Sequence, residues 1–312
     1  MRAILDVAVP FFALIFLGFA ALRWRILDRA AVAGLNAFVY WFALPVLLFA
    51  KVAGTPTREL LAPDFFVAYY GASFSVYALG FLVGRLVFGA GVGQAALMGL
   101  GASFGNVGYM GIPLLITGFG RDQALPAVLA VTFDNLTTVF LTIVLLEVGA
   151  KGGGGGRAAF VGVARGLAFN PLILAVLLGA FAAALPFGLP GTVEAFAGLL
   201  GAAAAPCALF ALGASLVGTR LGGAGRELLS LALMKLVLHP LLVAGIASWL
   251  WPMPRATSAP ILVLAALPTA ATVFVVAGRY GVYAEGASGL VLLTHVLSVV
   301  TLTALLVWAA PG

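Results

Sequence analysis

Apolar residues run along this chain in long stretches separated by short polar gaps. The stretches fall near 3–22, 30–51, 64–88, 94–119, 124–148, 165–185, 191–218, 227–251, 257–280 and 285–309. A helix needs roughly 20 apolar residues to cross the hydrocarbon core of a bilayer. The pattern therefore predicts an all-α membrane protein of about ten transmembrane helices, with the lipid bilayer as its solvent. The connections leave no room for a soluble domain of any size. The first stretch runs into Arg23 and Arg25 without a small-residue cleavage site and reads as a retained helix.

Two of the stretches are broken. The fourth carries Ser103–Leu115, SFGNVGYMGIPLL, in which Gly105, Asn106, Gly108, Gly111 and Pro113 interrupt a span. The ninth carries LAALPTAATVF, with Pro268 between Leu267 and Thr269. A broken helix frees backbone N–H and C=O groups that lipid cannot satisfy, so it persists only where protein, water or a ligand supplies partners. The two breaks also correspond. At a constant offset of 161 residues Pro10 meets Pro171, Gly18 meets Gly179, Pro45 meets Pro206, Phe49 meets Phe210, Gly84 meets Gly245 and Gly120 meets Gly281. The same offset sets Asn106-Val107 against Leu267-Pro268. The chain thus divides into a first repeat, 1–150, a glycine-rich linker, 151–164, and a second repeat, 165–312. Five spans per repeat place the halves in opposite orientations, the inverted arrangement of many secondary transporters, whose site lies at the repeat interface near broken helices.

Composition sharpens this reading. Of 312 residues, 63% are hydrophobic and 8% are charged, and the mean hydropathy is +1.19. No soluble domain hides that much apolar surface. A net charge of +6 would point toward nucleic acid in a soluble chain; here the cations fall mainly in loops, so no nucleic-acid partner is expected. With the N-terminus outside, the inner loops hold Arg23, Arg25, Arg29, Arg85, Lys151, Arg157, Arg165, Arg220, Arg226 and Arg279. The outer side keeps Arg2, Lys51, Arg58, Arg121 and Arg255, so the bias places both termini outside. Cys207 lies within a span and forms no intrachain disulfide.

The candidate chemistry follows from the breaks. Half-helix N-termini present N–H donors and a partial positive charge, which favour an anion. Asn106 donates to a carboxylate or caps a half-helix, and Gly105, Gly108, Thr269 and Thr272 complete a candidate substrate-binding set. Pro113 and Pro268 shape the breaks. Asp134, Asn135, Lys235, His239 and His295 are the intramembrane groups that can carry a coupling proton or Na⁺, or balance substrate charge. Each also has a structural reading. Asp134 can pair with a neighbouring helix, Lys235 can be a fixed counter-ion, His239 can bond a carbonyl freed by Pro240, and His295 can be a packing histidine. Tyr69, Ser73 and Tyr77 recur every four residues, lining a water path or bonding between helices. HExxH is missing, as is any Cys/His cluster with metal-ligand spacing, so neither an enzyme nor a metal site is expected. No cofactor is expected either. A membrane-embedded enzyme and a non-transporting ligand sensor on a transporter fold are the alternatives to a carrier.

The motif GNVGYMGIPLL, followed by FG, resembles the fourth span of the auxin efflux carrier family. FNPLILAVLLGA, APCALFALGASL, LHPLL and LPTAATVFVVAGRYG resemble that family's spans six to nine. The resemblance covers essentially the whole chain. It implies ten helices in two inverted five-helix repeats, with broken helices 4 and 9 crossing, and a fold similar to that of bile acid:sodium symporters. It implies a scaffold of helices 1, 2, 6 and 7, a mobile transport domain of helices 3–5 and 8–10, and a homodimer through the scaffold. For a bacterial permease of this type it implies a multi-pass protein of the cytoplasmic (inner) membrane. Such a protein carries a small organic anion, a mono- or dicarboxylate, by elevator-like alternating access. The second break offers threonine rather than an amide, so the polar contribution of the two breaks is unequal.

Overall fold

The structure, a computed structural model, describes residues 2–54, 62–120, 123, 125–151, 169, 171–185, 188–218 and 225–309. The glycine-rich linker from residue 152 onward lies outside the described residues. Among the described residues the chain is all-helical, with a single isolated antiparallel bridge between Gly105 and Thr269. We label the helices α1 (Arg2–Arg23), α2 (Arg29–Ala53), α3 (Pro63–Leu86), α4 (Val92–Ser103), α5 (Val107–Phe119) and α6 (Leu125–Gly149). The second half gives α7 (Pro171–Ala183), α8 (Gly191–Ser215), α9 (Gly225–Leu250), α10 (Arg255–Ala265), α11 (Thr272–Tyr280) and α12 (Ala284–Ala309). Six of them, α2, α3, α6, α8, α9 and α12, are long and apolar enough to cross a membrane. The fourth and ninth stretches of the sequence are each two shorter helices, α4–α5 and α10–α11.

Packing of the first two helices of each half is reciprocal. Gly18 of α1 lies against the backbone of α8, where an added Cβ would sit 1.9 Å from the Phe210 carbonyl oxygen. Gly179 of α7 lies against α2, where an added Cβ would sit 2.8 Å from the Phe49 carbonyl oxygen. Gly18 and Gly179, like Phe49 and Phe210, are 161 residues apart. Small residues let backbones approach this closely, and in lipid such packing drives helix association. Gly213 of α8 repeats the device, where an added Cβ would sit 1.8 Å from the Ile15 carbonyl oxygen of α1.

Several long helices contain a wider π-turn, and two of these sit at charged positions. Asn135–Val139 follows Asp134 in α6, and Met234–Leu238 holds Lys235 in α9. Such turns are frequent at functional sites because they disturb the regular bonding ladder. One extended core joins α1, α2, α3, α5–α8 and α10 around Leu44, Tyr69, Met110 and Leu264. A second core packs α4 against α6 and α11.

Candidate functional site

The two breaks satisfy each other. Asn106 N–H donates to the Pro268 carbonyl at 2.8 Å, and Ala270 N–H donates to the Phe104 carbonyl at 3.1 Å. Between these bonds Gly105 faces Thr269 in the antiparallel bridge. The groups that lipid would leave bare are thereby paired, which is how a span survives interruption. The ends of the leading half-helices are braced as well. Thr269 Oγ1 donates to the Gly101 carbonyl at 2.8 Å, and Thr269 N–H donates to Thr294 Oγ1 at 3.1 Å. Lys235 Nζ donates to the Ala265 carbonyl at 2.6 Å. A cation at a helix C-terminus is favourable because the dipole ends negative there.

The trailing half-helices, α5 and α11, begin at one cavity of about 620 Å³. Its lining includes Asn106 and Gly108 from the first break and Ala271 and Thr272 from the second. Gly105 lines it too. An added Cβ at Gly105 or Gly108 would find its nearest neighbour at 3.4 or 3.8 Å, so these glycines keep the cavity open rather than relieve a clash. Asn106 makes no side-chain capping bond to α5, although the sequence allowed one. Its Nδ2 lies 3.4 Å from His295 Nε2 instead. His295 Nδ1 is 2.7 Å from the Val291 carbonyl. A carbonyl only accepts, so Nδ1 carries the proton, and Nε2 accepts one N–H of the amide. His295 thus holds one N–H of the Asn106 amide at the cavity wall.

Thr269, grouped with Thr272 in the sequence reading, is fully buried with its hydroxyl committed to Gly101, and it does not line this cavity. Pro113 lines a different cavity. Pro268 supplies the carbonyl that pairs with Asn106. The side chain of Asn135 lies outside what is described. Asn36, Tyr40, Ser215 and Ser288 also line the site, and sequence reasoning missed them. The available signal was polar residues inside apolar stretches two, seven and ten.

Asp134 is the ionisable carboxylate of this lining, and no Lys, Arg or His shares the lining with it among the described residues. Tyr69 OH donates to Asp134 Oδ2 at 3.3 Å. Lys235 lies within electrostatic reach of the same carboxylate but behind the crossing; an added Cβ on Gly105 would be 3.5 Å from its Nζ. His239 joins Lys235 and α3, with Nδ1 3.1 Å from Lys235 Nζ and Nε2 3.0 Å from Ser73 Oγ. An ammonium has no lone pair, so with Lys235 charged Nδ1 accepts and Nε2–H donates to Ser73. The carbonyl partner that Pro240 suggested for His239 is therefore replaced by side chains. Tyr77 OH pairs with Thr142 Oγ1 at 2.9 Å, so the Tyr69, Ser73, Tyr77 face bonds between helices.

Paired half-helices beside a shared cavity, in a bundle of membrane-length apolar helices, fit a multi-pass membrane transport protein. Residues 3–154 and 157–306 match the family described as membrane transport protein. The chain belongs to this family, that of the auxin efflux carriers. A protein of Rhizobium meliloti (strain 1021) described as "Putative malonate transporter" is 37% identical over 314 residues, covering 98% of this chain and 96% of that protein.

Proposed function

We propose that the protein is a secondary carrier that moves a small organic anion across the inner membrane by elevator-like alternating access. The observation that carries this reading is the shared cavity, into which two half-helix N-termini and the Asn106 amide converge. Donors and dipoles of this kind hold an anion without a cation in contact. The relative described as a malonate transporter supports a short mono- or dicarboxylate, with malonate as the first candidate. The reciprocal Gly18–Phe210 and Gly179–Phe49 contacts support two inverted repeats of five helices each, ten in all. We infer that α1, α2, α7 and α8 form the scaffold, that the remaining helices move against it, and that the scaffold also forms a homodimer.

Asp134 supports coupling. An anion and a carboxylate in one low-dielectric cavity repel, so the carboxylate is neutralised when substrate binds. A proton or Na⁺ arriving with the substrate does this. Purified protein in proteoliposomes is expected to take up radiolabelled malonate in a saturable manner, driven by a gradient of one of these ions. Asp134→Asn is expected to keep malonate binding but to lose dependence on that gradient. Gradient-driven uptake that survives in Asp134→Asn would remove Asp134 from the coupling role. Uptake that is linear with malonate concentration would exclude a carrier for it.

His295 gives a second prediction. His295→Ala frees the Asn106 amide to rotate, and the loss of one orienting hydrogen bond of about 1 kcal/mol is expected to weaken malonate binding roughly fivefold. Isothermal titration of the detergent-purified variant checks this. Unchanged affinity would assign His295 to packing alone.

A further inference from the structure

The Asn106 cavity is short of positive charge. Among the described residues its lining holds one carboxylate, Asp134, and no Lys, Arg or His. The half-helices α5 and α11 begin there, and each N-terminus acts as roughly half a positive charge. Together with the Asn106 amide they offset a single carboxylate. A dicarboxylate brings two, and Asp134 adds a third to the same cavity. We propose that the site takes a short dicarboxylate as its monoanion. One end is held at Asn106 as a carboxylate, and the other, still protonated, donates a hydrogen bond to Asp134. The proposal rests on the carrier reading and deepens it, since it names the ionic form of the substrate and the place of the coupling proton.

The surroundings of Asp134 are the first argument. Its side chain is buried. Tyr69 OH donates to Oδ2 at 3.3 Å. Tyr70 OH, itself buried, comes close to the same carboxylate without completing a hydrogen bond. Neither tyrosine lines the cavity, so both approach Asp134 from behind its wall. Lys235 acts on the carboxylate from outside the lining as well. These groups suit an ionised Asp134 and give it one counter-charge. None of them offsets a second carboxylate placed against it.

The second argument is what two carboxyl groups do in such a place. Forced together at low dielectric they hold one proton between them, because ionising both would set like charges side by side. The shared proton turns repulsion into a charge-assisted O–H···O⁻ bond, one of the stronger kinds. The balance is simple. The proton arrives on the second carboxyl of the substrate, stays in the bond to Asp134 during the passage and leaves on the same carboxyl. Asp134 ends as it began, and each substrate crosses with a single net negative charge. A monocarboxylate offers Asp134 no donor, so the same contact selects for dicarboxylates.

The test uses the full-length wild-type protein in detergent. Isothermal titration in two buffers of unlike ionisation enthalpy counts the protons taken up per ligand bound. The probes are malonate and its monoamide, malonamate, whose amide N–H donates to Asp134 without a proton from solution. Above the second ionisation of malonic acid, malonate is expected to bind with uptake of one proton. Its affinity is expected to fall about tenfold per pH unit, as the monoanion becomes the minor form. Malonamate is expected to bind with no uptake and an affinity flat over the same range. The other titratable groups are Tyr69, Tyr70 and Lys235 beside Asp134, His239 on Lys235, Tyr40 and Tyr109 in the lining, and His295 on Asn106. They act on both ligands, so the difference between the two isolates the contact with Asp134. Asp134→Asn, which replaces an acceptor by a donor, is expected to bind the malonate dianion with no proton uptake. Malonate binding to the wild type without proton uptake, or with Na⁺ taken up instead, overturns the proposal. Equal uptake with malonamate overturns it too, because the proton would then sit on the protein whatever the ligand. Absence of malonate binding at every pH removes the carrier reading for malonate itself, which keeps the two failures apart.

Discussion

Asn106→Ala is expected to weaken malonate binding about 10- to 100-fold while leaving the yield of folded protein nearly unchanged. The two halves of this result have separate causes. The backbone of Asn106 holds the crossing through its bond to the Pro268 carbonyl, and alanine keeps that N–H. The side chain makes no cap, so α5 loses nothing at its start. What disappears is the amide donor held by His295 at the cavity wall. A hydrogen bond to a charged group is worth about 1.5–3 kcal/mol, which converts to the stated range. The measurement is a thermal-shift titration with malonate, since a ligand that binds only the folded state raises its apparent stability. A wild-type malonate response in Asn106→Ala would remove the crossing from the binding site. Collapse of the folded yield would show instead that the amide is structural.

The breaks themselves were legible in the sequence, because glycine and proline inside an apolar stretch have a backbone consequence wherever they fall. The matched Gly18 and Gly179 were legible for the same reason, and the structure gives both a close helix contact. The roles of polar side chains were not legible to that degree. Thr269 and Thr272 are equally polar and three residues apart, yet one braces the Gly101 carbonyl and the other lines the cavity. Which of them turns inward depends on where α4 and α12 pass, and nothing local encodes that. Lys235 has the same difficulty. Its charge marked it for coupling or for charge balance; its ammonium meets the Ala265 carbonyl of α10, 30 residues on, as well as His239 of its own helix, and the first of these partners depends on how α9 and α10 pack. Asn36 and Ser215 reach the cavity only because α2 and α8 pass beside the crossing. Periodicity locates helices; it does not say which polar residue on a helix meets a partner.

Gly18→Ala is expected to act on the frame and not on the site. Its Cβ would lie 1.9 Å from the Phe210 carbonyl oxygen and 3.0 Å from the Phe210 Cα. A backbone oxygen cannot rotate away as a side-chain end does, so α1 and α8 must separate. Forced overpacking of this kind costs about 3 kcal/mol, which corresponds to a fall of roughly 5 °C in apparent Tm for a chain of this size. Gly213→Ala is expected to match it, since its Cβ would meet the Ile15 carbonyl oxygen at 1.8 Å. Gly179→Ala is expected to cost less, because 2.8 Å from the Phe49 oxygen leaves less to be moved. Gly198→Ala, with no neighbour within 4 Å, is expected to leave the Tm unchanged. The order of the four Tm values in one detergent is the measurement, and a Gly18→Ala protein as stable as Gly198→Ala would refute the close contact of α1 with α8. The reciprocal design also makes a functional distinction. A loosened frame lowers folded yield and Tm in the absence of ligand, and the surviving molecules still bind malonate at Asn106. A damaged crossing does the reverse. Gly18→Ala and Asn106→Ala therefore separate helix packing from the proposed binding site.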